Sequence, residues 1–349
     1  MLPATIVPAT TGPRAFVRRH ALVTFFVLAY GLSWLAWLPY VLSENGLGLV
    51  AVRFPELLGS DQFLGVLPGA YLGPVTAAFI VTAAAEGRIG LRHWASRLTR
   101  WRVGWRWYVG ILTAVPVAVT LATFAAPGAA SQARMPSAVV LLGYLPMLLV
   151  QFLTTAVAEE PGWRDFALPR LQRRYGAVVG TVVLGVWWGV WHLPLYLTLW
   201  GGFPDVTWWQ PIEFVAACVP LSIVMTWVFN RTGESVPMVM LLHASVNSVF
   251  SLVWPQMFPQ LTARDSGHVV LLSATVVALV LLGATRGRLG LDGVGAGSGE
   301  RTVRWSARYD GGPGPADVCR MADQNGSRVR RPTDVNGKRG TDRLWNATN

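Results

Sequence analysis

The chain has 349 residues, of which 52% are hydrophobic and only 13% charged. A soluble domain carries about 25% charged residues, so this composition excludes an ordinary water-soluble globule. The net charge of +11 is nearly all arginine, Lys338 being the single lysine, and the arginines cluster in loops between apolar runs, a placement that argues against a nucleic-acid partner.

Residues 1–19 are rich in Pro, Ala and Thr and are expected to form a disordered N-terminal segment. Eight apolar runs follow, each near the ~20 residues that cross a bilayer core. They lie at 21–43, 63–84, 107–126, 137–158, 177–199, 209–230, 236–254 and 267–285. The fold class is therefore all-α: a polytopic membrane domain over 20–286. The first run is too long for a cleaved signal peptide and has no small-residue cleavage site after it. From residue 287 to 349 the chain turns to Gly, Arg and Asp without apolar period, which predicts a disordered cytoplasmic tail. Cys218 lies in an apolar run and Cys319 in the tail, so no disulfide framework is expected.

Basic residues check the span count. Arg14, Arg18 and Arg19 precede span one, six arginines from Arg88 to Arg106 follow span two, and Arg164, Arg170, Arg173 and Arg174 follow span four. Arg231 follows span six, and Arg286 and Arg288 follow span eight, while the alternate loops hold only Arg53, Arg134 and Arg264. By the positive-inside rule both termini are cytoplasmic. Within 88–108, Leu91, Trp94, Leu98 and Trp101 recur at helical spacing with arginines between them, the pattern of an amphipathic helix on the lipid surface.

An ionisable side chain at a bilayer centre costs about 2.5–3.5 kcal/mol on insertion scales, so each one inside a span is a functional candidate. Four qualify: Glu159 and Glu160 at the end of span four, His192 in span five and His243 in span seven, with Asn247 as a polar companion. In "EEPGWR", Glu160 and Arg164 are four apart and share a helix face, so they are expected to pair. Glu159 then points about a quarter turn away. Pro161 lacks an N–H and crowds the carbonyl of Val157, which predicts a kink at the carboxylates. His243 and Asn247 are also four apart on one face.

Each feature has a plainer reading. The glutamates could end a span at the interface, His192 could be a core histidine bonded to a carbonyl, and His243 with Asn247 could be a helix-packing pair. As a set they supply a carboxylate and histidine to orient and deprotonate water and donors for a developing oxyanion. Glu159, His192 and His243 could alternatively hold zinc, although no H-E-x-x-H helix is present.

The order Glu159-Glu160-x-x-x-Arg164, then Trp188-x-x-x-His192, then His243-x-x-x-Asn247 resembles the CAAX-protease and bacteriocin-processing family over about residues 150–255. The resemblance implies a glutamate-dependent intramembrane endopeptidase acting on a peptide or protein substrate at the lipid bilayer, in the cell membrane. By that likeness Glu159 activates water with His192, His243 and Asn247 form the oxyanion site, and Glu160 and Arg164 support them. The glutamate-and-water reading needs no metal and is preferred over the zinc version. Trp188 stands where the family often has Phe. The rival readings are a catalytically silent scaffold or immunity protein of the same fold, and a proton-coupled transporter.

Depth raises a difficulty. His192 lies about 22 Å into span five at 1.5 Å per residue, and His243 only about 10 Å into span seven. Either 159–176 dips into the membrane to meet them, or the boundaries are off by a turn.

Overall fold

The computed structural model describes residues 12–57 and 59–291. Eight helices in it are long and apolar enough to cross a membrane: α1 (Ala21–Leu42), α2 (Gln62–Leu98), α3 (Trp105–Thr123), α4 (Ala138–Tyr175), α5 (Ala177–Leu197), α6 (Trp209–Arg231), α7 (Val236–Met257) and α8 (Arg264–Thr285). No strand occurs among the described residues; a lone bridge joins Leu57 and Ser60. The expected eight-span all-α architecture is what the chain adopts.

The bundle is organised around α7, the most buried of the eight helices. It packs against α3, α4 and α6, while α5 lies along α6 and α6 along α8. The sequence Gly185-Val-Trp-Trp-Gly189 explains the α5–α6 contact. A Cβ added at Gly185 would stand 2.8 Å from the Val219 Cα, and one at Gly189 2.8 Å from the Val215 Cα. Two small residues four apart thus let the backbones meet, as they do where membrane helices associate by close packing.

Four boundaries differ from expectation, one of them the end of α2, at Leu98 rather than 84. Pro13–Arg19 forms a short helix, so order begins inside the segment read as disordered. At the other end, residues 287–291 fold back onto the bundle: Leu289 is buried against Ile223 and Ala278, and its carbonyl accepts from Asn230 Nδ2 at 2.9 Å. The rest of the expected tail, and residues 1–11, lie outside the described residues. The largest difference is in α4, which does not stop at residue 158 but stays helical to Tyr175.

Pro161 is the reason a stop was plausible, and the structure shows how it is absorbed. The helix widens to π geometry over Phe152–Ala156 and again over Pro161–Ala167, with one turn of α-helix, Val157–Glu160, between. A π turn bonds five residues on rather than four, so it tolerates the N–H that proline lacks. Trp94 of α2 donates its indole N–H to the Pro161 carbonyl at 3.1 Å. Of the stretch 88–108 read as a lipid-surface helix, 88–98 is helical, is set off from the rest of α2 by a kink at Gly87 (φ 64°), and packs against α4 through Trp94. Its Arg97 is buried, bonded to the Asp165 carboxylate, and its Nη1 lies 3.6 Å from Glu234 Oε2.

Continuous helix through 159–175 brings Glu159 level with His192. α4 and α5 form an antiparallel pair turning at Gly176. Glu159 lies 16 residues before Tyr175 and His192 lies 15 after Ala177. Both therefore sit about 22–24 Å from the turn.

Candidate active site

The site is built on the α-helical turn between the two π segments of α4. Glu159 and Glu160 are both buried, yet their surroundings differ. Glu160 has no exposed surface, while Glu159 keeps 3%.

Glu160 is enclosed by donors. Arg164, one turn on, places Nε 3.2 Å from Glu160 Oε2, and its Nη1 donates to Oε1 at 3.3 Å. His243 of α7 stands 2.7 Å from the same Oε1 through Nδ1. The expected pairing of Glu160 with Arg164 is present, and His243 joins it. His243 thus faces Glu160, a contact that the motif spacing does not predict.

Arg164 itself is fully buried. Its Nη2 donates to Ser222 Oγ at 3.2 Å and lies 2.8 Å from Met225 Sδ, both on α6. Its guanidinium carbon sits 4.1 Å from the Trp188 ring centroid. A buried guanidinium over an indole gains about 2 kcal/mol from the ring quadrupole. One cation thus ties α4 to α5 and α6.

Glu159 has a single protein hydrogen bond among the described residues: Oε2 accepts from Trp188 Nε1 at 2.7 Å. Neither histidine bonds it directly. Trp188 is the hub between them. Its backbone carbonyl lies 2.9 Å from His192 Nδ1, and its ring meets the His243 ring edge-on at 5.4 Å. The phenylalanine common at this position in the resembled family has no N–H to offer Glu159.

His192 caps the end of the α-helical part of α5, where Leu193–Leu197 tightens to 3-10 geometry at Pro194. A carbonyl oxygen only accepts, so the bond to Trp188 fixes the proton on Nδ1 and leaves Nε2 as an acceptor. The ring is held by Trp191 at 4.6 Å, Phe214 at 4.9 Å and Trp200 at 5.7 Å. α1 braces this helix end: Tyr30 bonds the Trp187 carbonyl, and Trp34 Nε1 bonds the Trp191 carbonyl at 2.9 Å.

Asn247 is half-buried one turn beyond His243, and its Nδ2 lies 3.5 Å from Gln151 Oε1 on α4. It shares the α7 face with His243, as read from the spacing, but is not hydrogen-bonded to it. Gln151 also accepts from Thr155 Oγ1 at 3.0 Å and reaches Ser251 at 3.3 Å. This polar seam between α4 and α7 was not singled out in the sequence. Nor was Asp165, fully buried beside Arg97, though it directly follows Arg164 and is a third acid in the same apolar surroundings.

Close approach completes the site. A Cβ on Gly162 would lie 2.5 Å from the Pro74 carbonyl oxygen, so α2 and α4 cross at backbone contact one turn from the carboxylates.

The zinc alternative, Glu159 with His192 and His243, is not prearranged as a cluster here. No three His, Cys, Asp or Glu side chains gather around a common point among the described residues. His243 and His192 each direct Nδ1 to an oxygen and keep Nε2, and Glu159 keeps Oε1, as remaining donor atoms.

Comparison with known proteins agrees with the motif reading. Residues 141–249 match the family described as type II CAAX prenyl endopeptidase Rce1-like. A CAAX prenyl protease 2 from Methanococcus maripaludis is 27% identical over 107 residues, which are 30% of this chain and 39% of that protein. The likeness thus spans less than half of the relative's length. The family match contains every residue of the site described above from α4 to Asn247. By its three motifs and both likenesses, segment 141–249 is similar to the CAAX-protease family.

Proposed function

We propose that the protein is an intramembrane endopeptidase in which Glu159 activates the attacking water without a metal. The observation that carries this reading is the inequality of the two glutamates. Glu160 has its oxygens engaged by Arg164 and His243, whereas Glu159 is held by one neutral donor and keeps an accessible edge.

In this reading water binds between Glu159 and His192 Nε2. Glu159 takes a proton as the water oxygen bonds to the scissile carbonyl carbon. The carbonyl oxygen becomes an oxyanion that His243 and Asn247 receive. His243 donates Nε2–H to that oxyanion while its Nδ1 stays against Glu160 Oε1. The proton on Glu159 passes to the amide nitrogen as the C–N bond breaks, giving a free acid and a free amine. The low dielectric of the site strengthens each of these interactions.

The substrate class follows from the relative's printed activity: a prenylated peptide ending in a CAAX box is the first candidate. A signal-like peptide or another membrane protein is the next. The arginine distribution supports a cytoplasmic position for both termini.

The test is cleavage by purified protein in lipid nanodiscs of a farnesylated CAAX peptide and a panel of unprenylated membrane peptides. Glu159→Gln keeps an oxygen for the Trp188 N–H and removes the base. General-base assistance is worth about 10²–10⁴-fold, and the variant should lose that much with an unchanged unfolding midpoint. Cleavage that persists in Glu159→Gln would overturn the assignment. Failure of the wild type to cleave any peptide would favour the silent-scaffold reading.

A further inference from the structure

A cavity lies away from the carboxylates. α3, α6, α7 and α8 enclose a space of about 430 Å³, within the usual range of small-molecule sites. Its walls include Val115 and Val119 of α3, Trp227 of α6, Val246 and Phe250 of α7 and Val277 of α8. Among the lining residues, only Arg106, Ser273 and two indoles carry polar side-chain atoms. The lining of α3 runs from Arg106 to Val119 at three- and four-residue intervals, one helix face. That is about 20 Å of helix, somewhat more than the ~15 Å of one leaflet's hydrocarbon.

Arg106 stands at the end of this slot, exposed, with its guanidinium 5.9 Å from the Trp105 ring and no ion pair among the described residues. An elongated hydrocarbon slot with a free cation at its mouth has the chemistry of one particular guest. A peptide would leave its N–H and C=O groups unsatisfied there. Water finds too few polar partners. We propose that the slot holds one acyl chain of an anionic phospholipid, with the phosphate against Arg106.

The occupant would touch the catalytic helix from behind. Leu242 and Val246 line the slot, and His243 and Asn247, next to them in sequence, lie about 100° further round α7. A chain in the slot therefore backs α7 at the level of His243. Binding stands independently of the peptidase reading, and only this consequence depends on it.

The experiment is photo-crosslinking of the full-length protein in nanodiscs containing phosphatidylglycerol or phosphatidylcholine, each with a diazirine on one acyl chain. Adducts are mapped by peptide mass spectrometry. With phosphatidylglycerol they should concentrate on the slot-facing residues of α3 and α8, above the level on the outer face of α1. A basic contact to an anionic lipid is worth about fivefold in affinity, so Arg106→Gln should lower the phosphatidylglycerol yield about fivefold, to that of phosphatidylcholine. Ala118→Phe and Ala274→Phe fill the slot from opposite walls, and whichever folds should abolish the slot adducts. Adducts no denser in the slot than on α1 would overturn the site. An unchanged phosphatidylglycerol yield in Arg106→Gln would overturn the headgroup assignment.

Discussion

Arg164→Met tests the core of the site. The side chain is fully buried, pairs with Glu160 through two nitrogens and lies over Trp188. Methionine fills similar volume and removes the charge. Breaking a buried pair by deleting one partner costs about 3–5 kcal/mol, because the other charge is left without its match. Domains of 150–250 residues lose about 2–4 °C of unfolding midpoint per kcal/mol, so a fall of about 6–20 °C is expected. The assay is thermal unfolding in detergent followed by tryptophan fluorescence. Glu160→Gln alone should also destabilise, by stranding Arg164. The double variant strands neither group, and the amide oxygen that replaces the Glu160 carboxylate still accepts from His243. Its loss should therefore be smaller than the sum of the singles by about 0.5–3 kcal/mol, the range for coupled neighbours. A single variant unfolding within about 2 °C of wild type, or strict additivity in the double, would refute the claim that this pair holds α4 to α5 and α6.

Trp188→Phe keeps a ring beneath Arg164 but removes the donor to Glu159 Oε2. Leaving that buried acceptor unsatisfied should cost about 1–3 kcal/mol in the unfolding midpoint and lower kcat in steady-state cleavage. Asn247→Ala touches only a 3.5 Å contact to Gln151, so its midpoint should barely move. Loss of an oxyanion donor would lower kcat by about 10²–10³-fold with KM little changed, and a change in KM alone would count against the oxyanion role. Asp165→Asn removes the buried carboxylate bonded to Arg97 and should destabilise by about 3–5 kcal/mol, read from the same unfolding curve. Gly162→Ala drives a Cβ against the Pro74 carbonyl, backbone that cannot turn aside, and should cost about 1–3 kcal/mol while reducing cleavage.

Much of this was legible in the chain before its structure. Apolar runs recur at bilayer length, so eight spans follow from composition and arginine placement. The i,i+4 spacing of Glu160 and Arg164 predicts their pair, because helix periodicity alone brings them together. What stayed hidden depends on departures from regular helix or on contacts between helices. Pro161 reads as a kink because a proline in an α-helix strands a carbonyl. The π turns that absorb it, and the Trp94 indole that satisfies the Pro161 carbonyl, come from context. Arg170 looks like a loop charge in the sequence, yet it lies within α4 and is bonded to the Glu86 carboxylate of α2. The partner of His243 among the adjacent glutamates stays hidden because spacing within α7 carries no information about which one α4 turns toward it.

Two neighbouring carboxylates in one apolar helix would repel and gain nothing if their surroundings were alike. Their single helical turn, bounded on both sides by π geometry, rotates them about 100° apart and presents them to different helices. Glu160 meets the arginine and histidine that match its charge. Glu159 meets an indole, whose one N–H orients the carboxylate without neutralising it, and the backbone carbonyl of that same tryptophan sets the tautomer of His192. Trp188 therefore fixes the base and its assisting histidine with one residue, through its side chain and its backbone separately. A phenylalanine at this position would keep the second function and lose the first, so Trp188→Phe separates them. Loss of activity with His192 still held by the backbone carbonyl of position 188 would show that the indole positions the base.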